Sequence, residues 1–164
     1  MENFSTFVTG IGRDSHRFLK NGNKKPLILG GMLFDDIEGL AADSDGDVIL
    51  HSICNAITSI THVPILGDIA IELCKKDGIT DSKVYVQKAL ETLKNCKILH
   101  VAFTIEAKKP KIQPKILELR KSISNILNID ISQVGITATS GDGLTNFGLG
   151  EGISVFCILS IQKF

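Results

Sequence analysis

Residues 39–56 read GLAADSDGDVILHSICNA. Asp43, Asp45 and Asp47 alternate with Ser44 and Gly46, and the chain then turns apolar, with His51 four residues past the last acid. An acidic turn followed by an apolar run predicts a helix over 47–60, with Asp45 or Ser44 as its N-cap. Short oxygen side chains there accept free backbone N–H groups, and negative charge suits the positive end of a helix. An EF-hand loop does not fit, because no Glu falls at the twelfth loop position. Capping alone does not explain three carboxylates.

Outward from this helix, periodicity assigns the other elements. Residues 7–18 and 27–34 read as strands separated by the polar turn NGNKK. Residues 74–82, CKKDGITDS, read as an exposed loop. A second helix is expected over 82–95, with Val84, Val86, Ala89, Leu90 and Leu93 as its apolar positions, and a third over 114–127. Residues 98–107, 134–139 and 153–162 read as strands. Strands and helices mix in one chain of domain size, so the expected class is α+β, an α/β two-layer sandwich over residues 1–164.

Bulk composition excludes several function classes. Hydrophobic residues make up 43% and charged residues 22%, which is ordinary for a globular chain. Acids and bases balance at 18 each, so no global field draws in nucleic acid or a membrane. The one basic cluster, Lys108, Lys109, Lys111 and Lys115, lacks interleaved aromatics. Cys54, Cys74, Cys96 and Cys157 are scattered without a C-x-x-C pair, which favours free thiols and a reducing, cytoplasmic setting. No basic stretch leads an apolar run near the N-terminus, so no secretory leader is expected.

The chemistry-bearing residues fall in three places. In GRDSHRF (12–18), strand alternation puts Asp14 and His16 on one face, and both are good zinc ligands. His51, one turn into the expected helix, can supply a third ligand, and three protein ligands with an open position suit a catalytic zinc. His62 and His100 lack such company. In AKKPKIQP (107–114), two prolines flank Lys111 and hold irregular backbone free to read a base edge or a phosphate. In TATSGDGLTNFGLGEG (137–152), Thr139 and Ser140 precede glycines and Asp142, a set able to cradle a diphosphate and a divalent ion.

Taken in order, GRDSHRF, SDGDVILH, LGDI, TDS before a helix, AKKPKIQP, the TATSGDGL run and GLGEGI resemble the 2-C-methyl-D-erythritol 2,4-cyclodiphosphate synthases of the non-mevalonate isoprenoid pathway. The likeness runs from about Gly10 to Ile161. It implies a mixed sheet with helices on one face in a ferredoxin-like arrangement, assembled as a homotrimer with active sites shared between subunits. It further implies zinc on Asp14, His16 and His51, and magnesium or manganese near Asp142 with the substrate diphosphate. Cytosine would be read by the turn of Ala107, Pro110, Lys111, Ile112 and Gln113, and ribose by Asp68 and the backbone near Ala70 of the adjacent subunit. Thr139 and Ser140 would meet the diphosphate, and Asp43 and Ser44 the erythritol phosphate. The implied partner is a small cytidine diphosphate substrate, with no nucleic acid and no membrane.

The chain departs from that family's pattern at several positions. Asp43 stands where His is common, Asn55 where Asp is common, and Asp142 where Glu is common. ELCKKDGI replaces an acidic, proline-bearing lid, Leu149 an Arg, and Arg13 an aromatic residue. Two other readings compete: a zinc hydrolase, for which HExxH spacing is absent, and a non-enzymatic cytidine-nucleotide-binding module.

Overall fold

The computed structural model describes residues 5–20 and 25–164. The chain opens with a long strand, β1 (Thr6–Arg17), which pairs antiparallel with the last strand, β6 (Gly152–Lys163). β6 also pairs antiparallel with β4 (Cys96–Glu106), and β4 pairs parallel with β5 (Val134–Thr139), giving the order β1–β6–β4–β5. The strands expected from periodicity are present, and 134–139 matches at both ends.

Alternation along these strands separates two faces. Val101, Phe103 and Ile105 of β4 and Val155, Cys157 and Leu159 of β6 are buried on one face. On the other, Ile11, Phe156 and Ile158 are 61%, 42% and 47% exposed. The buried face is covered by α1 (Val48–Thr61) over β1 and β6, and by α4 (Ile116–Leu127) over β5. A third helix, α3 (Ser82–Glu91), packs on α1 through buried Tyr85, Val86 and Ala89. A mixed sheet with helices on one face is therefore the observed architecture.

The ferredoxin-like detail does not hold. That layout keeps neighbouring strands antiparallel, whereas here β4 and β5 are parallel neighbours. The cause is the connection between them, which carries α4 back along the sheet as a crossover.

Three local expectations are also corrected. The apolar run 27–34 is a hairpin, β2 (Pro26–Leu29) and β3 (Met32–Glu38), turning at Gly30 and Gly31. Both glycines have positive φ, 59° and 75°, as a two-residue hairpin turn of this hand demands. The segment 74–82 is helical at its start, because α2 (Asp68–Asp77) runs to a left-handed Gly78. The N-cap of α1 is Asp47, not Asp45 or Ser44. Most of the NGNKK turn, residues 21–24, lies outside the described residues. Among the described residues, no helix is long and apolar enough to cross a membrane, and all four cysteines are free thiols.

α1 can lie close on β1 because Gly10 and Gly12 present no side chain to it. A Cβ on Gly12 would fall 2.1 Å from the Ser52 carbonyl oxygen, and one on Gly10 would fall 2.3 Å from that of Ala56. Helix backbone thus rests on strand backbone, one and five residues past His51 on the helix and two and four residues before Asp14 on the strand. Gly12→Ala is expected to destabilise the protein by on the order of 3 kcal/mol, since backbone must yield. Gly135→Ala, whose Cβ would meet only the His100 ring at 3.4 Å, should cost about 1 kcal/mol or less. Urea titration of both variants checks the contrast.

Candidate active site

Asp14 and His16 leave β1 on the face that α1 covers, and His51 comes from the first turn of α1. One ligand atom from each lies within 4.8 Å of the others. Asp14 Oδ2 is 3.1 Å from His16 Nε2 and 2.9 Å from His51 Nδ1. The three residues that the strand spacing and helix phase selected are brought together. One carboxylate oxygen and two imidazole nitrogens at one point are a donor set suited to a borderline-soft divalent cation.

Burial works to raise the Asp14 carboxyl, but hydrogen bonds from His16 and His51 outweigh it and hold the group well below the usual carboxylate range. The same bond to Asp14 pushes the His16 imidazole up from its ordinary value, against burial. Without a cation, the cluster therefore favours a carboxylate against protonated imidazole.

The three acids of the opening stretch have three different tasks. Asp47 is fully buried. Its Oδ1 accepts N–H bonds from Ile49 and Leu50 at 3.1 Å each and from Gly30 at 2.9 Å, while Oδ2 accepts one from Gly31 at 2.7 Å. It caps α1 and grips the β2–β3 turn with one carboxyl. Burial pushes that carboxyl up to about 6, with the backbone donors pulling the other way. Asp45 reaches α3 instead: its Oδ2 accepts from the Ser82 N–H at 3.0 Å and its Oδ1 from the Ser82 hydroxyl. Asp43 is exposed and lines the cavity beside the triad. Lys25 steadies the turn from behind, donating to the Ala42 carbonyl at 3.0 Å and to that of Ser44. Lys25 carried no signal in the sequence, and Ser82 entered it only as the last residue of the TDS motif, because neither lies near the residues it supports along the chain.

The cavity measures about 640 Å³ and is lined by the triad, Ala41, Ala42, Asp43, Ser44, Leu66, Gly67, Ala70, Ile71, Cys74 and Tyr85 among others. It holds Asp43, Ser44 and Ala70 from the sequence-derived set. Asp68 stands exposed at the start of α2, outside the lining. Helix α2 has no buried residue and no side-chain cap, so it forms the least packed wall of the cavity.

The remaining residues assemble elsewhere. The Ala107 N–H donates to the Thr139 carbonyl at 3.0 Å, joining the 107–113 turn to the end of β5. Within that turn Ala107, Pro110 and Ile112 are buried, while Lys111 and Gln113 are exposed. Thr139, Ser140 and Asp142 are exposed, and the Ser140 hydroxyl donates to Asp142 Oδ1 at 3.1 Å. Asp142 is held at φ 46°, ψ 26°, a left-handed conformation. Glu106, which escaped the sequence reading, anchors this loop by accepting from the Thr145 hydroxyl. Thr145 in turn caps the short helix α5 (Asn146–Leu149).

Strand directions put both groups at the same end of the sheet: the end of β1, the start of β6 and the ends of β4 and β5. They sit on opposite edge strands, three strand spacings or roughly 14 Å apart. Among the described residues, the cavity beside the triad takes none of its lining from the 107–113 turn or from Thr139, Ser140 and Asp142.

A cation entering the triad must displace the proton that Asp14 favours on His16. In the metal-free protein, the raised His16 value contributes stability below its unfolded pKa of about 6.5. That contribution is lost as pH rises through the folded value. Zinc should therefore raise the melting temperature more at about pH 8 than at about pH 6, with affinity falling about tenfold per pH unit below the raised value. Chelator competition across that range measures it.

The YgbB family model matches residues 7–162. A protein of Chlamydia felis, 2-C-methyl-D-erythritol 2,4-cyclodiphosphate synthase, is 52% identical over 159 residues, covering 96% of this chain and 90% of its own length. The Chlamydia abortus protein of the same name is 53% identical over the same coverage. Among solved structures, Plasmodium falciparum IspF in complex with CDP is similar with a TM-score of 0.78 at 29% identity, covering 94% of this chain and 95% of that one. The bifunctional IspDF of Campylobacter jejuni gives a TM-score of 0.87 at 25% identity over 98% of this chain, which spans 43% of that longer protein.

Proposed function

The chain belongs to the YgbB family and works as a 2-C-methyl-D-erythritol 2,4-cyclodiphosphate synthase, and we propose that it does so by positioning two phosphates of one substrate for ring closure. The substrate is 4-diphosphocytidyl-2-C-methyl-D-erythritol 2-phosphate. Its 2-phosphate oxygen attacks the β-phosphorus, the bond from that phosphorus to the bridging oxygen breaks, and CMP leaves as the cyclic diphosphate forms. The observation that carries this reading is the Asp14–His16–His51 cluster opening into a cavity walled by Ser44 and Asp43.

The nucleophile is already an oxyanion, so the protein needs no general base; its task is alignment and neutralisation of charge. Asp14, His16 and His51 would hold zinc, and Asp142 would hold magnesium or manganese. When bound, such ions supply electrostatic clamping of the phosphates. Ser44 offers its hydroxyl to the erythritol phosphate. The Lys25 ammonium, behind the Ala42–Ser44 turn, offsets the charge that Asp43 brings to this wall. Thr139 and Ser140 present hydroxyls to the diphosphate. The backbone of 107–113 reads cytosine, with Asp68 and the backbone at Ala70 on the ribose.

The separation of the two half-sites on opposite edge strands supports active sites completed between subunits. Ile11, Phe156 and Ile158 on the uncovered sheet face supply an apolar surface for assembly. A three-fold ring is the simplest closed form of such a head-to-tail contact. A single domain over 1–164, free thiols and no membrane-crossing helix among the described residues are compatible with a cytoplasmic enzyme.

A metal hydrolase would need a base beside the metal, and α1 carries no acidic residue along its length. A mere nucleotide-binding module would have no use for the triad. Incubation with the diphosphocytidyl substrate should release CMP and a cyclic product. His16→Ala and His51→Ala should each abolish both metal uptake and turnover. Asp142→Asn should keep zinc but lose turnover, partly rescued by excess magnesium; full activity of metal-free protein with magnesium alone would remove the zinc assignment. Sedimentation should give a trimer, and a fully active monomer would overturn the shared site.

A further inference from the structure

We infer that Ser82, backed by Asp45, fixes the protonation pattern of the His51 ring so that Nδ1 is left free to bind a metal ion. The inference rests on the metal-site reading above and assigns two positioning residues that do not touch substrate.

His51 Nε2 lies 2.8 Å from the Ser82 hydroxyl oxygen and 3.3 Å from that of Ser44. The directions of these bonds follow from what each partner can do. The Asp45 carboxylate only accepts, so the Ser82 hydroxyl spends its single proton on Asp45 Oδ1. The Ser82 oxygen can then only accept from the ring, and Nε2 must carry a hydrogen. Ser44 is the longer contact, and its oxygen already accepts the Gly46 N–H at 3.2 Å. With a hydrogen fixed on Nε2, the nitrogen left to the metal is Nδ1, which faces Asp14 and His16 and gives up to the ion the proton it shares with Asp14 in the metal-free protein.

The chain is rigid at every joint. Ser82 is fully buried at the first position of α3, and its N–H is held by the second oxygen of the same Asp45 carboxylate. The Asp45 N–H donates to the Thr80 carbonyl at 2.8 Å, tying the loop before α3 to the acidic turn. The ring is therefore oriented from α3 while its backbone belongs to α1. Hydrogen bonding to the far nitrogen of a metal-bound imidazole sets its tautomer, its angle and its basicity.

Zinc affinity of wild type, Ser82→Ala, Asp45→Asn and the double variant, measured by chelator competition, tests this. Ser82→Ala should weaken zinc binding about 10- to 100-fold. Asp45→Asn should act in the same direction and less, and the double variant should match Ser82→Ala to within about twofold, because both act through one ring. Metal-free melting temperatures should drop by only about 2–4 °C, the loss of a single buried hydrogen bond. Long-range proton–nitrogen NMR of the zinc-loaded wild type should show Nε2 protonated and Nδ1 bound. A ring bound through Nε2, or a Ser82→Ala protein with wild-type zinc affinity, would overturn the inference while leaving the metal site standing. A wild type that takes up no divalent ion would overturn both.

Discussion

One buried carboxyl group ties the site to the fold. Asp47 accepts from the first turn of α1 and from both glycines of the β2–β3 turn, so a helix start and a hairpin tip are gathered on two oxygen atoms. The donors of Gly30, Ile49 and Leu50 would otherwise be buried without partners, a cost of about 1–3 kcal/mol each. Satisfying them from one side chain fixes where α1 begins and how it is rotated. His51 follows one turn later, so its placement at the triad derives from that cap.

The opposite constraint is steric. Gly10 and Gly12 let α1 settle onto β1, so the distance from helix to strand is set by backbone contact rather than by adaptable side chains. Asp14 and His16 are the next two residues on the same face of the strand. A cap that sets the rotation of the helix and a contact that sets its height together leave the imidazole little freedom. Such rigidity is what a three-ligand cation site needs, because ligand geometry must exist before the ion arrives.

Much of this was legible in the sequence, for physical reasons. The D-x-H pair is a strand-periodic signal, and helix phase brought His51 to it. The Asp47 cap was not legible: Ser44, Asp45 and Asp47 are all good capping residues, and only the fold decides which oxygen meets which N–H. The hairpin at Gly30–Gly31 was hidden by apolar residues on both sides of the turn. Helix α2 was obscured because its polar residues are exposed and none of its apolar ones is fully buried. Ser82 and Lys25 were out of reach of any spacing rule, since their partners lie 31 and 17–19 residues away. The parallel β4–β5 pair likewise depends on a crossover that local pattern does not encode.

The placement of the triad on one edge strand and the Thr139–Asp142 loop on the other has a genetic consequence. If each working site draws one half from each of two neighbouring subunits, damage to the halves is separable. A subunit lacking His51 still lends an intact β5 loop, and one lacking Asp142 still lends an intact triad. Two inactive alleles of this kind, expressed together, would restore function at the junction where the two sound halves meet. Two alleles damaged in the same half would not.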